Sequence, residues 1–293
     1  MATLPGTTYR DLRASLQSEL KDRVLAHQAR IAGVKRMPMK AGQHLPLNLI
    51  AQGDSWFDYP LPVPVINQSD IVAHLKRLPA MVPEVLSVAQ YGESAEDMLG
   101  VKKIHDLFDQ FNDPANGKFD AILFSGGGND LVGNQFRLWL NDALAANDDP
   151  ANGLNDSRIA AIFGVVRAGY EDLMLARDKV DPTIPIFAHS YDFAIPSGIG
   201  IVCVGPWLRL GLDDRGWTNQ IFARTIVKDL LLQFNSMLDD FAADPANNFV
   251  HVQTQGTLSD TQWANELHPT PIGFAAITAK FVDALRSRFP GRI

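Results

Sequence analysis

The chain is short of several things, and each shortage excludes a class of answer. Cysteine occurs once in 293 residues, as Cys203, so no intrachain disulfide can form. Its neighbours Ile201, Val202 and Val204 are apolar, which predicts a buried small hydrophobe rather than a reactive thiol. No apolar run approaches the ~20 residues that a membrane helix needs. Positive charge is not in excess: 26 Lys and Arg stand against 33 Asp and Glu, a formal net charge of −7, which argues against a nucleic-acid footprint. Met1 to Gly6 lacks the basic leader and apolar core of a secretory signal, so the expected compartment is the cytoplasm. No low-complexity tract, interdomain linker or internal repeat stands out.

What is present is a large supply of apolar residues, 46% of the chain, enough for a full core. Residues 1–46 read as a helical extension packed on the domain. Arg10, Arg13, Arg23, Arg30, Lys35 and Arg36 fall there, but Asp11, Glu19 and Asp22 interleave with them, which predicts a solvated helix rather than a targeting segment. Residues 47–293 then form a single α/β domain. Five short apolar runs, Leu47–Ala51, Val85–Gln90, Phe119–Phe124, Ile184–Ala188 and Phe249–Gln253, have the composition of strands buried on both faces.

Helical patterns separate these runs. They cover Ser69–Leu78, a stretch capped by Ser94 and reaching about Phe111, Arg158–Lys179, a helix capped by Thr218, and a last helix opened by Thr270-Pro271. The alternation predicts a three-layer α/β/α, doubly wound (flavodoxin-like) fold around a five-stranded parallel sheet. Tyr59–Pro64 is rich in proline and is expected to run over the surface. The irregular segment from His189 to Trp217 is expected to be a functional loop that walls a pocket.

In such a sheet, chemistry gathers beyond the carboxyl ends of the strands. Ser55 stands after the first, Gly92 after the second, Asn129 after the third and His189 after the fourth, while His268 follows the fifth, just ahead of the last helix. A serine hydroxyl is a weak nucleophile and needs an adjacent base, for which histidine is suited. Acyl transfer builds negative charge on an oxygen, and the backbone N–H groups of Ser55 and Gly92 with the side-chain amide of Asn129 can supply donors to it. The glycine triplet Gly126–Gly128 is not followed by Lys-Ser or Lys-Thr and does not have the Gly-x-Gly-x-x-Gly spacing, so a phosphate-cradling loop is set aside.

Gly53-Asp54-Ser55-Trp56, Gly92, Gly128-Asn129-Asp130 and His268-Pro269 resemble the four ordered blocks of the SGNH (GDSL-type) hydrolases. The resemblance spans roughly Leu47 to Phe289. It implies an esterase-like hydrolase that works without a metal or other cofactor on a small-molecule ester of short or medium acyl chain. It also implies Ser55 as nucleophile, His268 as base, and Ser55, Gly92 and Asn129 as the oxyanion hole. Asp54, Trp56, Asp130 and His189 flank these positions as supporting or pocket residues; Asp54 and Asp130 have a local turn role as the alternative, and His189 a core role.

The family usually places an aspartate three residues before the histidine, and here Asn265 stands there. Three readings follow: a Ser55–His268 pair that tolerates Asn265, a weakened enzyme, or an inactive variant. Glu266 is adjacent, but a shift of one residue turns its side chain elsewhere. Two rival functions stay open. One is a metal-dependent phosphoesterase using Asp54, Asp58, Asn129, His189 and His268, against which stands the lack of an early Asp-x-His element. The other is a non-catalytic module that binds acylated sugars or lipids. The particular ester and the oligomeric state are not legible.

Overall fold

Leu49, Ile50, Ala51, Ala121, Ile122, Leu123 and Phe124 have no exposed surface, so apolar side chains from the central strands point into both covering layers. This is the computed structural model of residues 9–36, 44–59, 69–201 and 205–293. Its elements run α1 (Tyr9–Lys35), β1 (Asn48–Gly53), α2 (Ile71–Leu75), β2 (Glu84–Ser87), α3 (Ala95–Leu99), α4 (Val101–Asn112) and β3 (Ala121–Ser125). They continue with α5 (Gly128–Leu131), α6 (Phe136–Trp139), α7 (Asp156–Val180), β4 (Ile186–His189), α8 (Arg209–Asp214), α9 (Gln220–Ala243), β5 (Phe249–Val252) and α10 (Pro271–Arg288).

All strand pairs are parallel, in the order β2-β1-β3-β4-β5. This is the flavodoxin-like order, whose switch point lies between β1 and β3. Gly53 is in register with Ser125, so Ser55 and the glycine triplet leave the sheet side by side. One face is covered by α2 and α10, which pack on each other. The other carries α3, α4, α7 and α9, joined by the Phe163–Phe234 stack and the Arg167–Asp240 pair. The first helix lies along the β2 side, where Arg30 pairs with Glu84 and Arg23 reaches the Ala89 carbonyl and Asp58.

Several helix boundaries differ from the sequence reading, among them α2, which covers only Ile71–Leu75 of the expected Ser69–Leu78. Ser94 caps α3 as expected, with Asp97 completing a capping box, but the helix stops at Gly100, whose extended ψ of 150° separates α3 from α4. Glycine is the weakest non-proline helix former, so a break there is inexpensive. The cap of α9 is Asn219 rather than Thr218: its Oδ1 accepts from the N–H groups of Ile221 and Phe222.

A short repeat is also present that the sequence reading did not find. Asp-Pro-Ala-Asn occurs at 113–116, 149–152 and 244–247, each time as one 3₁₀ turn in which the aspartate accepts from the alanine N–H. After α4 and α9 the asparagine also donates to a carbonyl of the helix just ended, Gln110 or Phe241. Proline halts the helix and asparagine satisfies one of its orphan carbonyls.

Pro60–Pro64 and Cys203, expected respectively at the surface and in the core, lie outside the described residues. Among the described residues no helix is long and apolar enough to cross a membrane.

Candidate active site

The turn after β1 is fixed from below. The buried carboxylate of Asp54 accepts from Trp56 N at 2.9 Å, from Ser125 Oγ at 2.8 Å and from Tyr191 Oη at 2.6 Å. Ser125 Oγ in turn faces His189 Nε2 at 2.9 Å, while His189 Nδ1 accepts from Tyr191 N. These partners assign donors without conflict: His189 is neutral with its proton on Nε2, and Ser125 passes its own proton toward Asp54. Burial lowers the pKa of His189 to about 3, with the charge of His251 adding to it, and raises that of Asp54 to about 6 against the opposing Tyr191, Trp56 and Ser125 hydrogen bonds. His189 has no exposed surface, and through Ser125 and Tyr191 it props the turn that carries Ser55.

Ser55 is half-buried at the tip of that turn, and its Oγ lies 2.7 Å from His268 Nε2. His268 Nδ1 lies 2.9 Å from Asn265 Oδ1, so the three residues form a continuous relay. The orientation of the Asn265 amide follows from its other partners. Asn265 Oδ1 also accepts from the backbone N–H groups of Leu267 and His268, both at 3.0 Å. A flipped amide would set its NH₂ against two N–H donors, so the oxygen faces the ring and the imidazole carries its proton on Nδ1. Nε2 is then free to accept from Ser55.

Tyr59 and Trp207 flank the ring, with centroids 4.9 and 5.7 Å away. That enclosure lowers the pKa of His268 to about 3, through desolvation of the charged form.

The loops after β2 and β3 meet beside this relay. Gly92 has φ +80°, a left-handed conformation, with open space around the position of a Cβ, so glycine is needed there for backbone conformation and not for room. At Gly128 the need is the reverse: a Cβ would stand 2.8 Å from the Tyr191 ring, whose hydroxyl accepts from Gly128 N at 3.0 Å. Tyr191 Oη thus ties the Asp54 turn to the loop that carries Asn129. Asn129 Nδ2 donates to the Glu93 carbonyl at 2.8 Å, and Asp130 accepts from Ala95 N at 2.7 Å, which fastens the Gly92 and Asn129 loops to each other. Asn129 retains a second N–H on the same nitrogen. Trp56 is buried and donates through Nε1 to the Leu267 carbonyl, joining the serine turn to the histidine loop.

Glu266 does turn away, and its role is one the sequence did not reveal. Its fully buried carboxylate accepts from the backbone N–H groups of Gly198, Trp207, Leu208 and Arg209 at 2.5–3.0 Å, which organises the irregular segment between β4 and α9. Replacing it with glutamine puts an NH₂ where only acceptors fit, and Glu266→Gln is expected to destabilise the fold by about 2–4 kcal/mol, read as a lower urea midpoint at unchanged m-value. An unchanged midpoint would show that this carboxylate does not hold the segment.

The residues of the metal reading are occupied otherwise: Asp58 pairs with Arg23, and Asp54, Asn129 and His189 have the partners given above. Among the described residues no three His, Cys, Asp or Glu side chains are grouped to hold a metal. The segment expected to wall a pocket does so through Tyr191, Asp192, Ala194 and Leu208.

No family model matches the sequence, and no curated protein matches it. Solved structures of similar fold include a lipase from a goat rumen metagenome (16% identity, 81% of this chain and 97% of that one, TM-score 0.49). A member of the lipolytic G-D-S-L family from Veillonella parvula (15%, 80% and 96%, TM-score 0.41) and a family 3 carbohydrate esterase from Clostridium thermocellum (14%, 83% and 98%, TM-score 0.46) are also similar. In this chain itself, a serine, a histidine and an asparagine stand in hydrogen-bonded sequence at the carboxyl edge of a parallel sheet.

Proposed function

We propose that the chain is an SGNH (GDSL-type) serine hydrolase that cleaves a carboxylic ester through an acyl-enzyme on Ser55. The observation that carries this reading is the relay from Ser55 Oγ to His268 Nε2 and from His268 Nδ1 to Asn265 Oδ1. Ser55 Oγ attacks the ester carbonyl carbon as its proton moves to His268 Nε2. The oxygen that gains charge is met by the N–H groups of Ser55 and Gly92 and by the second N–H of Asn129 Nδ2. On collapse, His268 returns the proton to the departing alcohol, and water then repeats the cycle on the acyl-enzyme.

Asn265 fixes the productive tautomer but carries no charge to stabilise the imidazolium. The expected enzyme is therefore active and slow, the second of the three readings of Asn265. The test is hydrolysis of p-nitrophenyl acetate and butyrate by the purified chain, with and without a chelator: chelator-insensitive turnover supports the reading, and its absence together with failure to label Ser55 would sink it.

The burial of His268 has a consequence for pH. A base of pKa about 3 is already deprotonated at pH 5, so kcat/KM is expected to stay level from about pH 5 to neutrality and to fall only on further acidification. An acid limb centred between pH 6 and 7 would show a histidine that is not desolvated in this way.

A further inference from the structure

The resemblance to the hydrolase blocks begins at Leu47, yet the helix that precedes it reaches the site through one side chain. Arg23 Nη1 donates to the Ala89 carbonyl at 2.9 Å, and Arg23 Nη2 donates to Asp58 Oδ1 at 2.7 Å and to Glu19, one turn earlier on α1, at 2.5 Å. Ala89 and Asp58 belong to the turns that carry Gly92 and Ser55. Asp58 N closes the Ser55 turn on the Asp54 carbonyl at 3.1 Å, and Ala89 stands between β2 and Gly92. The Asp58 carboxylate also accepts from the N–H of Tyr91, the residue before Gly92. One guanidinium and one carboxylate therefore tie the two turns together.

Stability alone does not account for this pair. The helix buries little hydrocarbon: among its described residues Ile31 is the one fully buried apolar side chain, with Leu20 and Val24 partly buried. Arg23 and Asp58 are instead largely withdrawn from water, their side chains 22% and 10% exposed. Desolvation of two such charges offsets most of their attraction, so the pair adds little over an apolar contact of the same size. What it does supply is a fixed distance between two loops that no strand pairing holds.

We propose that Arg23 is a positioning residue for ester hydrolysis: by gripping Asp58 and the Ala89 carbonyl at once, it sets the spacing of the Ser55 and Gly92 N–H groups that receive the developing oxyanion. The N-terminal helix is then part of the frame of the active site rather than a covering for the sheet. This rests on the serine-hydrolase reading and adds a residue and an element to it. Such donors act when they are aimed at the place where charge develops. A shift of one turn against the other weakens transition-state binding while the uncharged ester still binds.

Arg30 supplies the control. It lies about two turns further along α1 and pairs with Glu84 at the start of β2, the edge of the sheet opposite the site. Arg23→Ala is expected to lower kcat for p-nitrophenyl butyrate by about tenfold to a hundredfold with KM changed less than about threefold, while Arg30→Ala leaves both within about twofold of the parent. Arg23→Lys keeps the charge but lacks the planar fork that reaches two acceptors, so its kcat is expected to fall between those of the parent and Arg23→Ala. The lysine variant carries the test if the alanine variant does not fold.

The second arm is independent of catalysis. Amide hydrogen exchange, followed by peptide mass spectrometry, is expected to quicken about tenfold at residues 54–59 and 88–92 in Arg23→Ala and to stay unchanged there in Arg30→Ala. A kcat loss no greater than that of Arg30→Ala, a change in KM alone, or unaltered exchange in both turns would each overturn the proposal. The two failures are separable: loosened turns in a chain that hydrolyses nothing keep the clamp and defeat the hydrolase reading. Hydrolysis that Arg23→Ala does not slow does the reverse.

Discussion

Ser55→Ala is expected to lower ester turnover by about 10³- to 10⁴-fold and to leave the fold intact. The loss is smaller than the roughly 10⁶-fold measured when a complete serine triad loses its nucleophile, because on the proposed reading the parent would work with a neutral third member. What would remain after the substitution on that reading is binding and the proposed oxyanion donors, the source of the residual catalysis in the serine-protease template. The structural cost is small: Ser55 sits at the tip of a turn whose conformation is set by Asp54, through Trp56 N, Ser125 and Tyr191, and the lost hydroxyl leaves only His268 Nε2 without a partner. Far-UV circular dichroism and the thermal midpoint of the variant should therefore match the parent while p-nitrophenyl butyrate turnover falls. Retained turnover in a folded Ser55→Ala protein would mean that another group carries the reaction.

Asn265→Asp is expected to act in the opposite direction, raising kcat by about 10- to 100-fold at little change in KM. In the serine-protease template the reverse change, aspartate to asparagine, lowers turnover by about 10⁴, and much of that loss comes from stabilising the wrong imidazole tautomer. Here the tautomer is already productive, since Leu267 N and His268 N hold Asn265 Oδ1 toward the ring. The gain available is thus the charge alone. A carboxylate at 265 would keep all three N–H donors and add an attraction to the imidazolium that forms during attack.

The same attraction has a signed effect on pH dependence. Desolvation now holds the pKa of His268 at about 3. An adjacent negative charge favours the protonated ring and moves that value upward, so the acid limb of kcat/KM is expected to shift toward neutral pH as turnover rises. Both changes should appear together. A variant with unaltered kcat and an unmoved limb would show that Asn265 does not act through His268.

Much of this site was legible because parallel sheets impose it. Once five apolar runs alternate with helices, Ser55, Gly92, Asn129 and His268 are expected to emerge on one edge; the register that sets Gly53 beside Ser125 was not legible. Glycine and proline marked the turns in the same way. What escaped the sequence depends on contacts between residues far apart in the chain. Tyr191 reads as one aromatic among several, and nothing local says that its hydroxyl spans Asp54 and Gly128. Glu266 reads as a spare carboxylate beside Asn265, yet its four donors come from residues 198–209. The direction of the Asn265 amide was equally invisible, because two backbone N–H groups decide it. The Asp-Pro-Ala-Asn turns were missed for a different reason: four residues are too few to stand out as a repeat until their common 3₁₀ geometry is seen.

The most direct measurement is reaction of the purified chain with a fluorophosphonate, followed by peptide mass spectrometry. Phosphonylation at neutral pH needs a serine whose proton an adjacent base can take, which ordinary surface and core serines lack. The expected result is a single adduct on Ser55, absent from Ser55→Ala and formed much more slowly in His268→Ala. A folded chain that takes up no label, or takes it on another serine such as Ser125 or Ser190, would contradict the assignment of Ser55 and His268 as nucleophile and base.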